Sequence, residues 1–224
     1  MSETYLPKRL RAKRNLPHWQ AADGIYATVF RLNGSLPKEV VIRLGEERDL
    51  AKKELLKKGL PDKIRKQELN KLRRLYFGKF DDLLDNVHTG PHFLKEPDVA
   101  KIVADAILHF NEKRYTVINY CIMSNHVHLT LSKLQGEIGD LLGSIKKFTA
   151  RKINLLHGCV GRQVWLHESY DHLIRDEEDL IFYHTYTLEN PVKANIVSNW
   201  FDFPFTYARP EFDVFYMPQS NTTL

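Results

Sequence analysis

Cysteine is scarce in this chain: Cys121 and Cys159 are the only two, and they form no spaced motif. That argues against a disulfide framework and for reduced thiols, so a cytoplasmic protein is expected. Long apolar runs are missing too. No stretch approaches the roughly 18 residues that a membrane span needs, and no membrane partner is expected. The N-terminus is basic but lacks an apolar core segment, which argues against a secretory signal. Glu3 and Pro7 interrupt any Arg-rich amphipathic helix there, so an organellar presequence fits poorly. Low-complexity segments are absent. Charge of one sign is not in large excess either. Lys and Arg number 33 against 28 acids, a net charge of +5 with a pI near 9.1, which permits nucleic acid as a partner without requiring it.

What is present is ordinary for a globular protein: 224 residues, 43% hydrophobic and 27% charged. That length fills one core with some appendage. We expect one domain over 1–224, carrying a basic N-terminal arm (1–20), a basic helical insertion (45–76) and an aromatic C-terminal tail (200–224). The arm gathers Lys8, Arg9, Arg11, Lys13 and Arg14, as a solvated terminus or as an arm on phosphates. The tail, with Trp200, Phe201, Phe203, Phe205 and Tyr207, is too aromatic to stay unpacked.

Alternation predicts a strand over 24–32, ended by Asn33-Gly34 and Pro37. A short apolar piece follows at 40–44. Residues 45–76 predict two helices joined at Gly59-Leu60-Pro61, and 77–96 shows no clear period and is expected to be connection. A helix opens at Pro97 with Asp98 as its expected cap; Val99, Ile102, Val103, Ala106, Ile107 and Phe110 recur on one face. A strand over 115–123, a turn at Ser124-Asn125 and a second strand follow. The next helix, 139–156, carries Lys146, Lys147, Arg151 and Lys152 on the face away from its leucines. A strand over 163–174 and a last helix, capped by Asp176 and running to Asn190-Pro191, complete the order. Strand, helix, strand, strand, helix, strand is the ferredoxin-like β-α-β-β-α-β pattern. The fold class is therefore α+β: an antiparallel sheet with a helical insertion and an additional C-terminal helix, one face packed by helices and the other free for a ligand.

Side chains two apart on a strand share a face. His126 and His128 therefore point together, about 7 Å apart along the strand, with Val127 and Leu129 turned into a core. Two such imidazoles can close on one metal ion; taken alone, they are equally a plain surface pair. On the last helix Tyr186 and Asn190 lie one turn apart on one side, with Tyr183 near them. A phenol and a carboxamide so placed can serve one site. They are equally a core aromatic and the cap of a short helix starting at Pro191.

Joined, these pieces have a familiar shape. The segments Met123-Ser124-Asn125-His126-Val127-His128, Lys146-Lys147-Phe148-Thr149-Ala150, Trp165 with Tyr170-Asp171-His172-Leu173-Ile174-Arg175, and Tyr186 with Asn190-Pro191-Val192-Lys193-Ala194 resemble the single-tyrosine HUH transposases. Within that group they are most similar to the REP-associated tyrosine transposase branch, over residues 20–205. The resemblance implies that His126, His128 and Asn190 bind a divalent metal and that Tyr186 is the nucleophile. It implies cleavage of single-stranded DNA near a hairpin, leaving a 5′-phosphotyrosine and a free 3′-OH, and rejoining by the reverse step. Ser124, where the family usually has Pro, and Glu189, where it often has His or Asn, leave the expected ligands intact.

Chemistry gives the same picture its logic. A free phenol, with a pKa near ~10, is only about 0.1% phenolate at neutral pH. A metal on the scissile phosphate makes phosphorus more electrophilic, and covalent capture conserves the phosphodiester energy for religation. Two imidazoles and an amide oxygen suit Mg²⁺ or Mn²⁺ better than a closed zinc site. Lys146, Lys147, Arg151 and Lys152 are expected to hold DNA phosphates. The expected partner is single-stranded or hairpin DNA, bound by a monomer or homodimer. Three other readings stay open. One is a domesticated hairpin-binding regulator without turnover. Another is a metal-dependent hydrolase that uses water, and the third is an RNA-binding module of the same fold. Tyr170 or Tyr183 could replace Tyr186, although neither has the Asn-Pro spacing.

Overall fold

The computed structural model describes residues 24–218, so the basic N-terminal arm lies outside the described residues. The described residues form two compact units: residues 33–92, and a larger unit of residues 24–32 and 93–218.

The smaller unit is a helix pair. α1 spans Lys38–Lys57 and α2 spans Asp62–Asn86. Pro37 and Pro61 stand immediately before them, where an extended residue without an N–H suits a helix start. Glu47 of α1 ties the two together by accepting from Tyr76 and Lys79 of α2. At the base Gly90 has φ +91, and a Cβ there would sit 2.6 Å from the Gly34 carbonyl oxygen, so only glycine closes this turn. The helices outrun their expected limits. The apolar piece at 40–44 is part of α1, and α2 continues to Asn86 through what looked like connection.

The larger unit is built on a five-stranded antiparallel sheet in the order β4-β1-β3-β2-β5. Its strands are β1 (Tyr26–Arg31), β2 (Thr116–Ile122), β3 (His126–Ser132), β4 (Tyr170–Leu173) and β5 (Thr206–Ala208). Helices α3 (Pro97–Leu108), α4 (Ile138–Leu156) and α5 (Glu177–Lys193) complete it. The first four strands with α3 and α4 make the expected ferredoxin-like α+β arrangement. β5, from the aromatic tail, adds to the β2 edge.

Alternation gives the sheet two chemically different faces. Phe30, Val127, Leu129, Leu131 and Ile122 join Val99, Val103 and Ile107 of α3 and Leu141, Leu142 and Ile145 of α4 in one core. Each such side chain contributes about 1.5–3 kcal/mol when buried. Trp165 seals this side edge-on to Phe30 at 5.0 Å, its indole N–H on Thr149 Oγ1 at 2.8 Å. The opposite face carries Asn119, His126, His128, Thr130 and His172, all buried. It is not open. α5 lies on it, because a buried polar face needs polar partners and α5 supplies Asp179, His184 and Asn190.

Two local expectations change. Asp98 does not cap α3; Glu96 holds the N-cap position without a side-chain bond, and Pro97 follows at the helix start. The strand expected over 163–174 shrinks to Tyr170–Leu173 plus a single bridge between Leu32 and Trp165. Carbonyls of Leu166, His167 and Glu168 accept from Lys146 Nζ, so that stretch bends around an ammonium group. Among the described residues, no helix is long and apolar enough to cross a membrane.

Candidate active site

The β2–β3 hairpin fixes the histidines. Met123 N–H donates to His126 C=O at 2.9 Å across the two-residue turn Ser124-Asn125. Asn125 C=O then accepts from Leu32 N–H at 2.8 Å. With β3 central in the sheet and one face committed to the core, a register slip would exchange the two faces. His126 and His128 thus stand on the polar face, buried, with ring centroids 4.9 Å apart.

Their nitrogens converge. Asn125 Oδ1 lies 2.7 Å from His126 Nδ1. An amide oxygen can only accept, so Nδ1 carries the proton and the Nε2 lone pair turns inward. His126 Nε2 and His128 Nε2 are 3.0 Å apart. Two imidazoles bound side by side to one ion at roughly 2.1 Å would stand about 3 Å apart. Asn190 Nδ2 is 3.2 Å from His128 Nε2, and a half-turn of the amide brings its oxygen to the same point. These donors fit a metal ion, and the two histidines belong to a buried group able to hold one.

α5 brings the phenol. Asp176 caps the helix by accepting from Asp179 N–H at 2.9 Å, and Glu177, Glu178 and Asp179 occupy the first turn, where acids suit the dipole. Its register against the sheet is set by polar contacts along its length. His172 Nε2 meets Asp179 Oδ2 at 3.1 Å, and Asn119 Nδ2 meets His184 Nδ1 at 2.8 Å. Burial pushes the His184 imidazole down to about 4, against a smaller upward pull from Asp213, so it sits neutral beneath the helix. Tyr186, one turn before Asn190, then lies with its ring 6.0 Å from that of His128. Lys193 Nζ donates to the Tyr186 hydroxyl oxygen at 2.7 Å and rides 4.1 Å above its ring. The helix continues through Pro191 to Lys193, rather than ending at Asn190-Pro191. Without that last turn Lys193 would not reach the phenol.

The structure therefore gathers His126, His128, Asn190 and Tyr186 in one place. It adds Asn125 and Lys193, which lie within the matching motifs but to which the sequence alone assigns no role. The signal was available for both: Asn125 adjoins the histidine, and Lys193 follows Tyr186 by two helical turns. Tyr183 is buried, with its hydroxyl 3.0 Å from that of Tyr170 and its ring 4.7 Å from His172; it packs the helix down.

The basic residues of α4 are elsewhere. α4 packs on the apolar sheet face and α5 on the polar one, so Lys147, Arg151 and Lys152 are exposed on the side of the sheet away from Tyr186. Lys146 is not on that exposed face at all. It is buried, and its ammonium donates to Leu166 C=O (2.9 Å), His167 C=O (3.0 Å) and Ser169 Oγ (2.6 Å). An amine wrapped by carbonyls is a structural clamp, which removes it from the phosphate-contact set.

Fold and site together define a ferredoxin-like α+β domain with a buried histidine pair under a tyrosine-bearing helix. No protein-family model and no curated protein sequence matches the chain. A solved structure does, that of a REP-associated tyrosine transposase bound to a REP hairpin. It shares 14% identity at a TM-score of 0.51, over 86% of this chain and 81% of that one. At that identity the likeness is one of fold.

Proposed function

We propose that this chain is a metal-dependent endonuclease and strand transferase that acts on single-stranded DNA beside hairpins, with Tyr186 as its nucleophile. One observation carries the reading. A single helix face carries Asn190, 3.2 Å from His128 Nε2, Tyr186, whose ring is 6.0 Å from that of His128, and Lys193, which donates to the Tyr186 hydroxyl.

His126, His128 and Asn190 would hold the ion, Mg²⁺ or Mn²⁺. When bound, such an ion withdraws charge from the phosphoryl oxygens of the strand. The protein's own residues do the rest. Asn125 keeps the His126 proton on Nδ1. Lys193 orients the phenol oxygen and stabilises the negative charge it carries in attack. That oxygen bonds to phosphorus as the bond from phosphorus to the 3′ oxygen breaks. The 3′ oxygen ends with a proton, the phenol has lost one, and a 5′-phosphotyrosine stands in place of the phosphodiester. One ester is exchanged for another, so the reverse step rejoins strands without an energy source. Lys147, Arg151 and Lys152 contribute salt-dependent phosphate contacts.

The test is incubation of the protein with labelled hairpin-containing single-stranded DNA, with and without Mn²⁺. A covalent protein–DNA adduct is expected with the ion and none with Tyr186→Phe, which should still bind the DNA. Cleavage that survives in Tyr186→Phe would replace this mechanism with water-mediated hydrolysis. Hairpin binding with no cleavage would make the protein a regulator.

A further inference from the structure

A groove runs along the flank of α4, between that helix and the bent segment 162–169, within the larger unit. Its volume of about 280 Å³ lies near the lower end of ligand-sized clefts, about 300–1,000 Å³. That is room for about one nucleotide unit and for no folded partner. Its floor is apolar: Leu142, Val164 and the indole of Trp165. Two small residues of α4, Gly143 and Ala150, line it as well. A Cβ added at Gly143 would meet nothing within 4 Å. Lys147, Arg162 and His167 line the walls; among the described residues no carboxylate lines the groove, and Glu168 Oε1 stands 3.3 Å from His167 Nδ1 at its rim, so Lys147 and Arg162 carry the positive charge. The buried Lys146 ammonium pulls the carbonyls of 166–168 toward itself and so holds the outer wall in its bent course. Arg162 is held as well, by Asn154 and His157 and by stacking on Phe93 at 4.6 Å.

We infer that this groove seats the backbone of a DNA strand, with a phosphodiester between Lys147, Arg162 and His167 and the sugar or base edge on the Trp165 floor. The inference rests on the DNA-joining function proposed above and adds where the substrate is gripped. Charge complementarity selects a polyanion, the apolar floor selects one with flat or hydrocarbon surface, and the pre-bent wall presents both without rearrangement. Because the groove flanks a helix on the sheet face opposite Tyr186, grip and chemistry use different surfaces. Each can be removed without the other.

The experiment uses the full chain and the same hairpin-containing oligonucleotide, followed by fluorescence anisotropy over a range of salt. Lys147→Glu with His167→Glu should weaken binding tenfold or more and flatten the salt slope by about one to two. Lys95→Glu with Lys113→Glu makes a change in charge at least as large at exposed positions off the groove and should shift affinity less than threefold. Gly143→Leu fills the groove without altering charge. It replaces a helix-interior glycine, so thermal stability should hold or rise while binding falls. A folded Gly143→Leu protein and a folded charge-reversed pair that both bind like wild type would overturn the inference. The two readings fail separately. Groove-dependent binding with no Tyr186 adduct would leave the groove standing and remove the joining reaction. A wild-type adduct whose formation and binding ignore the groove variants would do the reverse.

Discussion

Lys193 and His184 show how much one position on a helix decides. Lys193 reaches the Tyr186 hydroxyl because α5 keeps its turn past Pro191. A charge-assisted bond of this kind contributes about 1.5–3 kcal/mol. Lys193→Gln should therefore slow adduct formation roughly ten- to a hundredfold with little change in DNA affinity, and Lys193→Arg should keep more of the rate. Equal single-turnover rates for wild type and Lys193→Gln would remove the lysine from the chemistry. His184 acts on stability. Its imidazole is pushed down to about 4 by burial, against an ordinary value near ~6.5 in the unfolded chain. The unfolded state binds the proton first on acidification. This group therefore costs nothing above about pH 6.5, removes stability as pH falls from there towards about 4, and adds no further slope below. The loss integrates to about 3 kcal/mol. Urea midpoints between pH 7.5 and 4 should show a shallower decline in His184→Gln than in wild type. Parallel declines would mean that His184 is protonated in the native state.

At the scale of elements, α5 is the part on which the site depends. Hydrogen bonds from the sheet hold it at Asp179, His184 and Asn190. The C-terminal tail holds its outer side, where Tyr216 donates to Glu189 and Met217 N–H donates to Thr185 Oγ1 at 3.0 Å. Desolvated, and beside that carboxylate, the Tyr216 phenol is driven well above its usual range. Asp176 provides the N-terminal end. Asp176→Ala should cost about 1 kcal/mol, read in chemical denaturation, and should lower adduct yield only in step with the fraction unfolded. A loss of cleavage in fully folded Asp176→Ala would show that the first turn also places the nucleophile.

For the whole molecule, metal binding at the histidine pair would be linked to folding. An ion held by the native histidine pair stabilises it by mass action, about 2.7 kcal/mol when free metal is a hundredfold above Kd. Mn²⁺ should therefore raise the melting temperature of wild type and of Tyr186→Phe. It should leave His126→Ala with His128→Ala unchanged, and excess Mn²⁺ should not restore cleavage to that variant. An equal rise in the double variant would place the ion elsewhere. At a net charge of +5, DNA binding should also fall steeply with salt.

What the chain determines by itself is local. The alternation that turns His126 and His128 one way, the helical spacing of Tyr186 and Asn190, and the cap at Asp176 follow from backbone geometry within a few residues, so all three are legible in the sequence. The order of the elements was legible too, and with it the ferredoxin-like pattern. Other features depend on groups far apart in sequence. β5 is three residues long, too short to show a period; it is a strand only because β2 offers an unpaired edge. The last part of α2 mixes Asp81, Asp82 and Asp85 with Phe77, Phe80 and Leu84, which hides its helical stripe. Lys146 reads as a surface charge because lysine usually is one. It is buried because carbonyls twenty residues later close on it. The polar sheet face reads as an open ligand surface until α5 is laid across it. In each case burial of a polar group is tolerable only when its partner arrives, and only the packed chain brings the partner.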